Sequence, residues 1–369
     1  MDTAPLTTAI GLMSGTSMDG IDAAVIRTDG RLRVESGPAL TIAYDDAFRG
    51  RLRAVLGERG DVAGVEAELT DRHALAVRQL MASAGLRPGE VDVVGFHGHT
   101  IRHEPHNGIT RQIGDGAALA AATGIDVVDG LRYADVAAGG EGAPLAPVYH
   151  AALAGGLERP LAVLNLGGVG NVTWIGPGEG EAADDDLLAF DTGPANAPLD
   201  DWCRRMIGAD CDADGALAAS GTVDRDRLAR LTEHRYFDRR PPKSLDRDEF
   251  AALLDGATAG MAPGDGAALL AAFTVAAVVR ALDWLPQAPR RWIVCGGGRR
   301  NPVLMAGLRE RLGVPVVDAD SLGWDGDALE AQAFAYLAVR SRLGLPISFP
   351  GTTRAPRPLT GGRFNPAPR

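Results

Sequence analysis

The feature that most restricts this chain is a turn written twice. Near the start, an apolar strand runs into a glycine turn of small polar residues and directly on into a second strand, Gly11 to Asp22 (GLMSGTSMDGID); past mid-chain the plan returns at Asn165 to Asn171 (NLGGVGN). Strand, glycine turn, strand is a hairpin signature, and its recurrence reads as an internal duplication. In the first half, Thr8 to Met13, Ile21 to Arg27 and Leu32 to Tyr44 read as a meander. A helix is expected from about Val62 to Ala84, with Val65, Leu69, Ala76, Leu80 and Met81 on one face, and then a strand from Val91 to Phe96. The second half repeats the meander at Leu161 to Leu166, Asn171 to Ile175 and Leu187 to Asp191. Helices at Ala267 to Leu285, Pro302 to Leu312 and Ala328 to Leu343 follow, with a strand at Trp292 to Cys295. Two sheets suit 369 residues, because single cores stop growing at ~250–300 residues. The expected fold class is α/β with two lobes whose hairpins face each other across a cleft. The first lobe is residues 1–133 plus about 341–369 and the second 134–340, the glycine- and alanine-rich stretch Arg132 to Pro147 marking the crossing. The tail Phe349 to Arg369 reads as extended.

Charge narrows the partners. A net charge of -11 disfavours nucleic acid and anionic membrane, which require a basic footprint. The longest apolar stretch, Ala267 to Val279, is shorter than the ~20 residues a bilayer span needs. No basic segment precedes an apolar run at the N-terminus, and three widely spaced cysteines, Cys203, Cys211 and Cys295, fit free thiols. A cytoplasmic protein is expected. Of 37 basic residues only Lys243 is lysine, so neither a GxxxxGK[ST] loop nor a strand lysine of the protein-kinase type can be written here. Any phosphate must be cradled by backbone amides.

Gly11 to Asp22 offers such a cradle: glycines admit close approach, amides form an anion nest, Ser14, Thr16 and Ser17 can donate, and Asp19 or Asp22 can hold Mg²⁺ directly or through water. Taken alone, it reads as an ordinary turn. Gly296-Gly297-Gly298, at the end of a strand, resembles the adenosine corner of actin-like ATPases. His97, His99 and His103 alternate along a strand, a pattern open to a zinc reading, although no cysteine and no carboxylate other than Glu104 completes a set at short spacing. Asp191 ends a strand, where a cap is the ordinary role; Glu330 on its helix reads equally as a solvated carboxylate. Lys243 is open to three readings: a phosphate contact, a substrate-carboxylate contact or a lid anchor.

With HGHTIRHEP at His97 to Pro105, QIG at Gln112, DVAAGGEGAPL at Asp135 to Leu145, NLGG at Asn165, FDTGPAN at Phe190 to Asn196 and PKS at Pro242, the opening motif resembles the anhydro-N-acetylmuramic acid kinases over roughly Gly11 to Ala335. The resemblance implies a two-lobed actin-like, ribonuclease H-like fold with a related mixed sheet in each lobe. It implies an ATP- and Mg²⁺-dependent homodimeric enzyme of peptidoglycan recycling, which opens 1,6-anhydro-N-acetylmuramic acid with water and phosphorylates it to N-acetylmuramic acid 6-phosphate. Carried over by position, Asp191 is the general base, and Thr100, His99, Glu330 and Lys243 meet the sugar. Gly11, Ser14, Gly15, Thr16, Ser17, Asp19, Gly20, Asp22, Asn165, Gly167, Gly168 and Gly296 to Gly298 hold the nucleotide. Three positions depart from the family: His99 stands where Gln is more usual, Ala195 where Gly is, and Leu245-Asp246 follows Lys243-Ser244. A kinase of another anhydro or amino sugar shares the same motifs; a non-catalytic actin-like nucleotide-binding module is the reading of a different class.

Overall fold

The structure, a computed structural model, describes residues 5–15, 17–178, 180–181, 186–245 and 249–368. The chain divides into two compact units, one of residues 1–156, 179–184 and 328–369, the other of residues 157–178 and 185–327.

In the first unit, β1 (Thr7–Ser14), β2 (Gly20–Thr28) and β3 (Val34–Ala43) form the antiparallel meander. β4 (Val93–Glu104) runs parallel to β1, β5 (Ile109–Ile113) folds back antiparallel on β4, and β6 (Val127–Asp129) pairs parallel with β4. The helix Val62–Ala84 starts where the Asp61 carboxylate accepts from Gly64 N–H and stops at Gly85, whose φ of 67° lies in the left-handed region. Its apolar face, with Leu69, Val77 and Leu80 fully buried, joins Ile10, Leu12 and Phe96 in one core.

The second unit repeats the scheme. β7 (Leu161–Leu166), β8 (Val169–Ile175) and β9 (Leu187–Pro194) are antiparallel neighbours; β10 (Trp292–Cys295) lies parallel to β7 and β11 (Val316–Asp318) parallel to β10. Its core is built on the helix Pro263–Ala281, most of which is buried. With the turn after it, that helix is long and apolar enough to span a bilayer. The same composition serves a helix packed on all sides in a core.

The chain then returns to the first unit, where β12 (Arg363–Asn365) pairs antiparallel with β6. The sheet orders are β12-β6-β4-β1-β2-β3, with β5 on β4, and β11-β10-β7-β8-β9. A meander whose first strand takes a parallel neighbour, which takes another, is the ribonuclease H-like arrangement, present in each unit as in actin-like folds. The tail expected to be extended holds a short helix, Pro350–Thr353, as well as β12.

The divisions fall at 156/157 and 327/328 rather than 133/134 and 340/341, for reasons of packing. Tyr149 O–H donates to Gln332 Oε1 at 2.9 Å, tying the helix Pro147–Leu153 to the helix Leu329–Arg342. That second helix lies directly on the strands of the first unit: a Cβ on Gly11 would stand 1.7 Å from the Ala331 carbonyl oxygen, and one on Gly95 2.0 Å from that of Phe334. Only glycine at these two strand positions lets a helix backbone approach so closely.

Candidate active site

In the first unit, the helix seated on Gly11 and Gly95 carries Glu330 in its first turn. Glu330 is exposed, yet enough protein surrounds its carboxyl to raise its pKa; Arg132 opposes the rise, and Asp22 and Asp19 add to it. Three carboxylates and one guanidinium therefore share a field. Arg132 Nε donates to His97 Nε2 at 3.0 Å, and its Nη1 donates to the Gly142 carbonyl at 2.6 Å. His97 Nδ1 lies 2.9 Å from the Gly98 carbonyl, which makes Nδ1 the protonated nitrogen and leaves Nε2 as acceptor. Burial and then Arg132 hold its pKa well below the usual value, so the imidazole is neutral.

Thr100 is half-buried on β4, opposite Gln112 of β5. Its Oγ1 accepts from Gln112 Nε2 at 3.1 Å, which leaves its own proton to donate, and Gln112 Oε1 is buried with no hydrogen-bond partner among the described residues. An unsatisfied buried carbonyl oxygen is costly, and a polyhydroxylated ligand would relieve it.

His99 lies elsewhere. It is fully buried, and its Nδ1 is 3.0 Å from Ser14 Oγ, which also accepts from Tyr44 O–H at 2.9 Å. Ser14 is 1% exposed. Both residues had been expected to meet ligand; the parallel register that sets Ser14 against His99 turns both side chains inward instead. Gly11, as shown, seats a helix, and a Cβ on Gly20 would stand 2.4 Å from the Ile42 carbonyl oxygen, so that glycine serves strand packing.

Among the described residues of the turn, Ser17 and Asp19 are exposed. A Cβ on Gly15 would meet nothing nearer than Ser17 Oγ at 3.6 Å. Ser17 Oγ donates to Asp19 Oδ1 at 2.8 Å, and Thr41 Oγ1 donates to Asp22 Oδ1 at 2.6 Å. Thr16 lies outside the described residues. No group of three metal-ligating side chains occurs among the described residues, and His97, His99 and His103 each have separate partners, so the zinc pattern does not assemble. Asp19 and Asp22 supply hard oxygen donors and a negative field, which fits a cation that keeps most of its waters.

In the second unit, Asp191 sits near the end of β9. Its N–H donates to the Lys243 carbonyl at 2.9 Å, its carbonyl accepts from Tyr236 O–H at 2.6 Å, and Oδ2 accepts from Leu245 N–H at 2.8 Å. Oδ1 accepts nothing among the described residues. Burial raises the carboxyl to about 6, against the lowering effects of the Leu245 bond and the Lys243 charge. A half-buried carboxylate with one oxygen fixed and the other without a partner among the described residues, titrating at about 6, has the properties of a general base.

The turn after β7 has its carbonyls engaged by the start of the helix Asn196–Ile207: Asn196 N–H donates to Gly167 O at 2.9 Å, and Ala195 and Ala197 N–H to Gly168 O at 3.1 and 3.2 Å. Asn165 meets the glycine corner, where a Cβ on Gly296 would stand 2.3 Å from Asn165 Oδ1 and φ is 74°. Arg299, nearly buried, braces the corner through Asp320, Asp327 and the Gly296 carbonyl. Gly297 and Gly298 open onto a cavity of about 350 Å³ whose other walls include Asn196, Asp200, Asp212 and Arg300.

Sequence reading missed Arg132, Gln112 and Tyr236. Arg132 and Gln112 stand inside or beside motifs already noted, so the signal was present; Tyr236 carries no local one.

Comparison with known proteins gives the family. A family model described as anhydro-N-acetylmuramic acid kinase matches residues 7–367. An anhydro-N-acetylmuramic acid kinase of Rhodospirillum rubrum is 58% identical over 97% of this chain and 94% of its own, and one of Paramagnetospirillum magneticum is 55% identical over 97% and 99%. Among solved structures, component A of the (R)-2-hydroxyglutaryl-CoA dehydratase of Acidaminococcus fermentans aligns over 90% of this chain and 99% of its own with a TM-score of 0.47 at 14% identity, too loose a likeness to bear on function. From the opening hairpin to the last strand, and through the segments that carry Asp191 and Glu330, the chain belongs to the anhydro-N-acetylmuramic acid kinase family.

Proposed function

We propose that this chain is an ATP-dependent kinase that opens 1,6-anhydro-N-acetylmuramic acid with water and phosphorylates it to N-acetylmuramic acid 6-phosphate, a step of peptidoglycan recycling. The observation that carries the reading is Asp191, with Oδ2 held by Leu245 N–H and Oδ1 accepting nothing among the described residues, in a chain of this family. Water loses a proton to Asp191 Oδ1 as its oxygen bonds to the anomeric carbon. The bond from that carbon to the bridging oxygen breaks, and the electron pair stays on what becomes the 6-oxygen. That oxygen attacks the γ-phosphorus of ATP, and ADP leaves. Asp191 then returns its proton to solvent.

The other residues bind and orient. Thr100, Gln112 and Glu330, with Arg132 behind them, are assigned to the sugar. Gly15 and Ser17 are assigned to phosphate. The cavity beside Gly297 is of nucleoside size, and its carboxylates favour a neutral base carrying amino protons over a phosphate. Asp19 and Asp22 would hold Mg²⁺ through water; when bound, it supplies charge neutralisation for phosphoryl transfer. The net charge of -11 supports a small-molecule partner, and the family resemblance carries a homodimer working in the cytoplasm.

The test is product analysis in ¹⁸O-labelled water with Mg-ATP and the anhydro sugar. One ¹⁸O at the anomeric position and none in the transferred phosphate is expected. Label in the phosphate, or phosphorylated sugar with its ring closed, would overturn the mechanism. Preferred turnover of levoglucosan or an anhydroglucosamine derivative would overturn the substrate.

A further inference from the structure

Lys243 has its side chain taken up inside the second unit. It is 7% exposed. Its Nζ donates to the carbonyls of Tyr236 and Phe237 at 3.1 and 3.4 Å, and lies 4.5 Å from the Tyr236 ring centroid and 5.8 Å from those of Phe190 and Trp284. Two of these residues also adjoin Asp191, and Trp284 braces the same segment. Phe190 precedes it on β9, Tyr236 O–H donates to its carbonyl, and Trp284 Nε1 donates to the Phe237 carbonyl at 2.8 Å. The main chain of 243–245 closes the ring, with Lys243 O accepting from Asp191 N–H and Leu245 N–H donating to Asp191 Oδ2.

We infer that Lys243 is a positioning residue for proton abstraction: its ammonium fastens residues 243–245 to the Tyr236–Phe237 segment, so that Leu245 N–H holds Oδ2 of Asp191 and leaves Oδ1 to receive the proton of water. This rests on the reading of Asp191 as the base. It replaces a contact between Lys243 and sugar or phosphate, because two carbonyls and an aromatic face already engage the ammonium. A compact ammonium with three rotatable donors suits that enclosure, whereas a planar guanidinium fork does not.

The charge acts as well. Burial brings Lys243 down to about 8, helped by Arg239 and Arg280 and opposed by Asp238 and Asp191, the main charged groups acting on it among the described residues. Below that pH the ammonium is present and favours the ionised form of Asp191. Removing it should make Asp191 take up a proton at a higher pH.

The experiment is Lys243→Met, which keeps length and loses charge and donors. Turnover should fall about 10- to 100-fold, the sugar KM and the ATP Kd should stay within about threefold, and the acid limb of kcat against pH should move up by about one pH unit. A raised sugar KM with the limb unmoved would make Lys243 a substrate contact. A lowered Tm with kcat and limb intact would make it packing alone. Either result overturns the inference. If Lys243→Met does not fold, Lys243→Arg decides: lost kcat with unchanged KM supports positioning, and wild-type kinetics or a raised KM overturns it. Asp191→Asn, run alongside, separates two failures. If that variant turns over normally the base assignment falls and this inference with it; if it is inactive while Lys243→Met is normal, only this inference falls.

Discussion

The main-chain N–H of Leu245 donates to Oδ2 of Asp191 at 2.8 Å across 54 residues of sequence. A carboxylate near the end of a strand is thus held by a segment that its own neighbourhood does not encode. Hydrogen bonding to one oxygen lowers a carboxyl pKa, and burial raises it; here burial wins, and the group titrates at about 6.

That balance fixes the direction of the pH dependence. A general base works only when ionised, and a raised carboxyl is protonated over a wider acid range than usual. Turnover should therefore climb with pH through about 6 and level off above it. Asp191→Asn should lose ~10²–10⁴-fold in kcat and show no such limb, while still binding ATP and sugar. The measurement is kcat across the acid range for both proteins. A wild-type limb confined to the ordinary carboxylate range near ~4 would leave the rise unexplained.

The glycines under the Glu330 helix make a separate claim, about stability. A Cβ at Gly95 would fall 2.0 Å from the Phe334 carbonyl oxygen, a backbone atom that cannot swing aside. Gly95→Ala should cost ~1–3 kcal/mol, as overpacking does, and should displace Glu330 and thereby weaken sugar binding. Thermal unfolding and sugar titration of this one variant test both effects; an unchanged Tm would mean that the helix does not rest on β4 as described.

The fold was largely legible because its signals are local. The meander strands, the helix Val62–Ala84 and the repeated glycine turn all follow from apolar spacing and turn residues. What escaped depends on register and on main-chain partners. Ser14 and His99 read as ligand contacts because both are polar and lie in motifs of the resemblance; only the pairing of β1 with β4 shows them facing inward. Lys243 stood out as the lone lysine, but its acceptors are carbonyls, which carry no side-chain signal in a sequence. The short strands β6, β11 and β12 are three residues each, below the length at which periodicity can speak. Arg132 was legible as a residue and not as a role, since His97 lies 35 positions away.

The glycine corner allows the sharpest separation of binding from folding, because its adjacent glycines have opposite surroundings. A Cβ at Gly298 would stand 2.6 Å from Leu166 Cβ and 2.9 Å from Asn196 Oδ1, inside the packing that joins the corner to β7. A Cβ at Gly297, which lines the cavity of about 350 Å³, would have only Asn196 Nδ2 near it among the described residues, at 3.6 Å. Gly298→Val should therefore lower Tm and disturb every activity together. Gly297→Val should keep Tm near wild type and sugar affinity unchanged while ATP binding weakens about tenfold or more, the cost of ~1.4 kcal/mol from filled ligand volume. Calorimetry with ATP and with sugar, each alone, reads the two affinities independently. If Gly297→Val binds ATP as wild type does, adenosine does not occupy this cavity and the assignment of Gly296 to Gly298 to the nucleotide fails, even though the turn at Gly15 would still be available to phosphate.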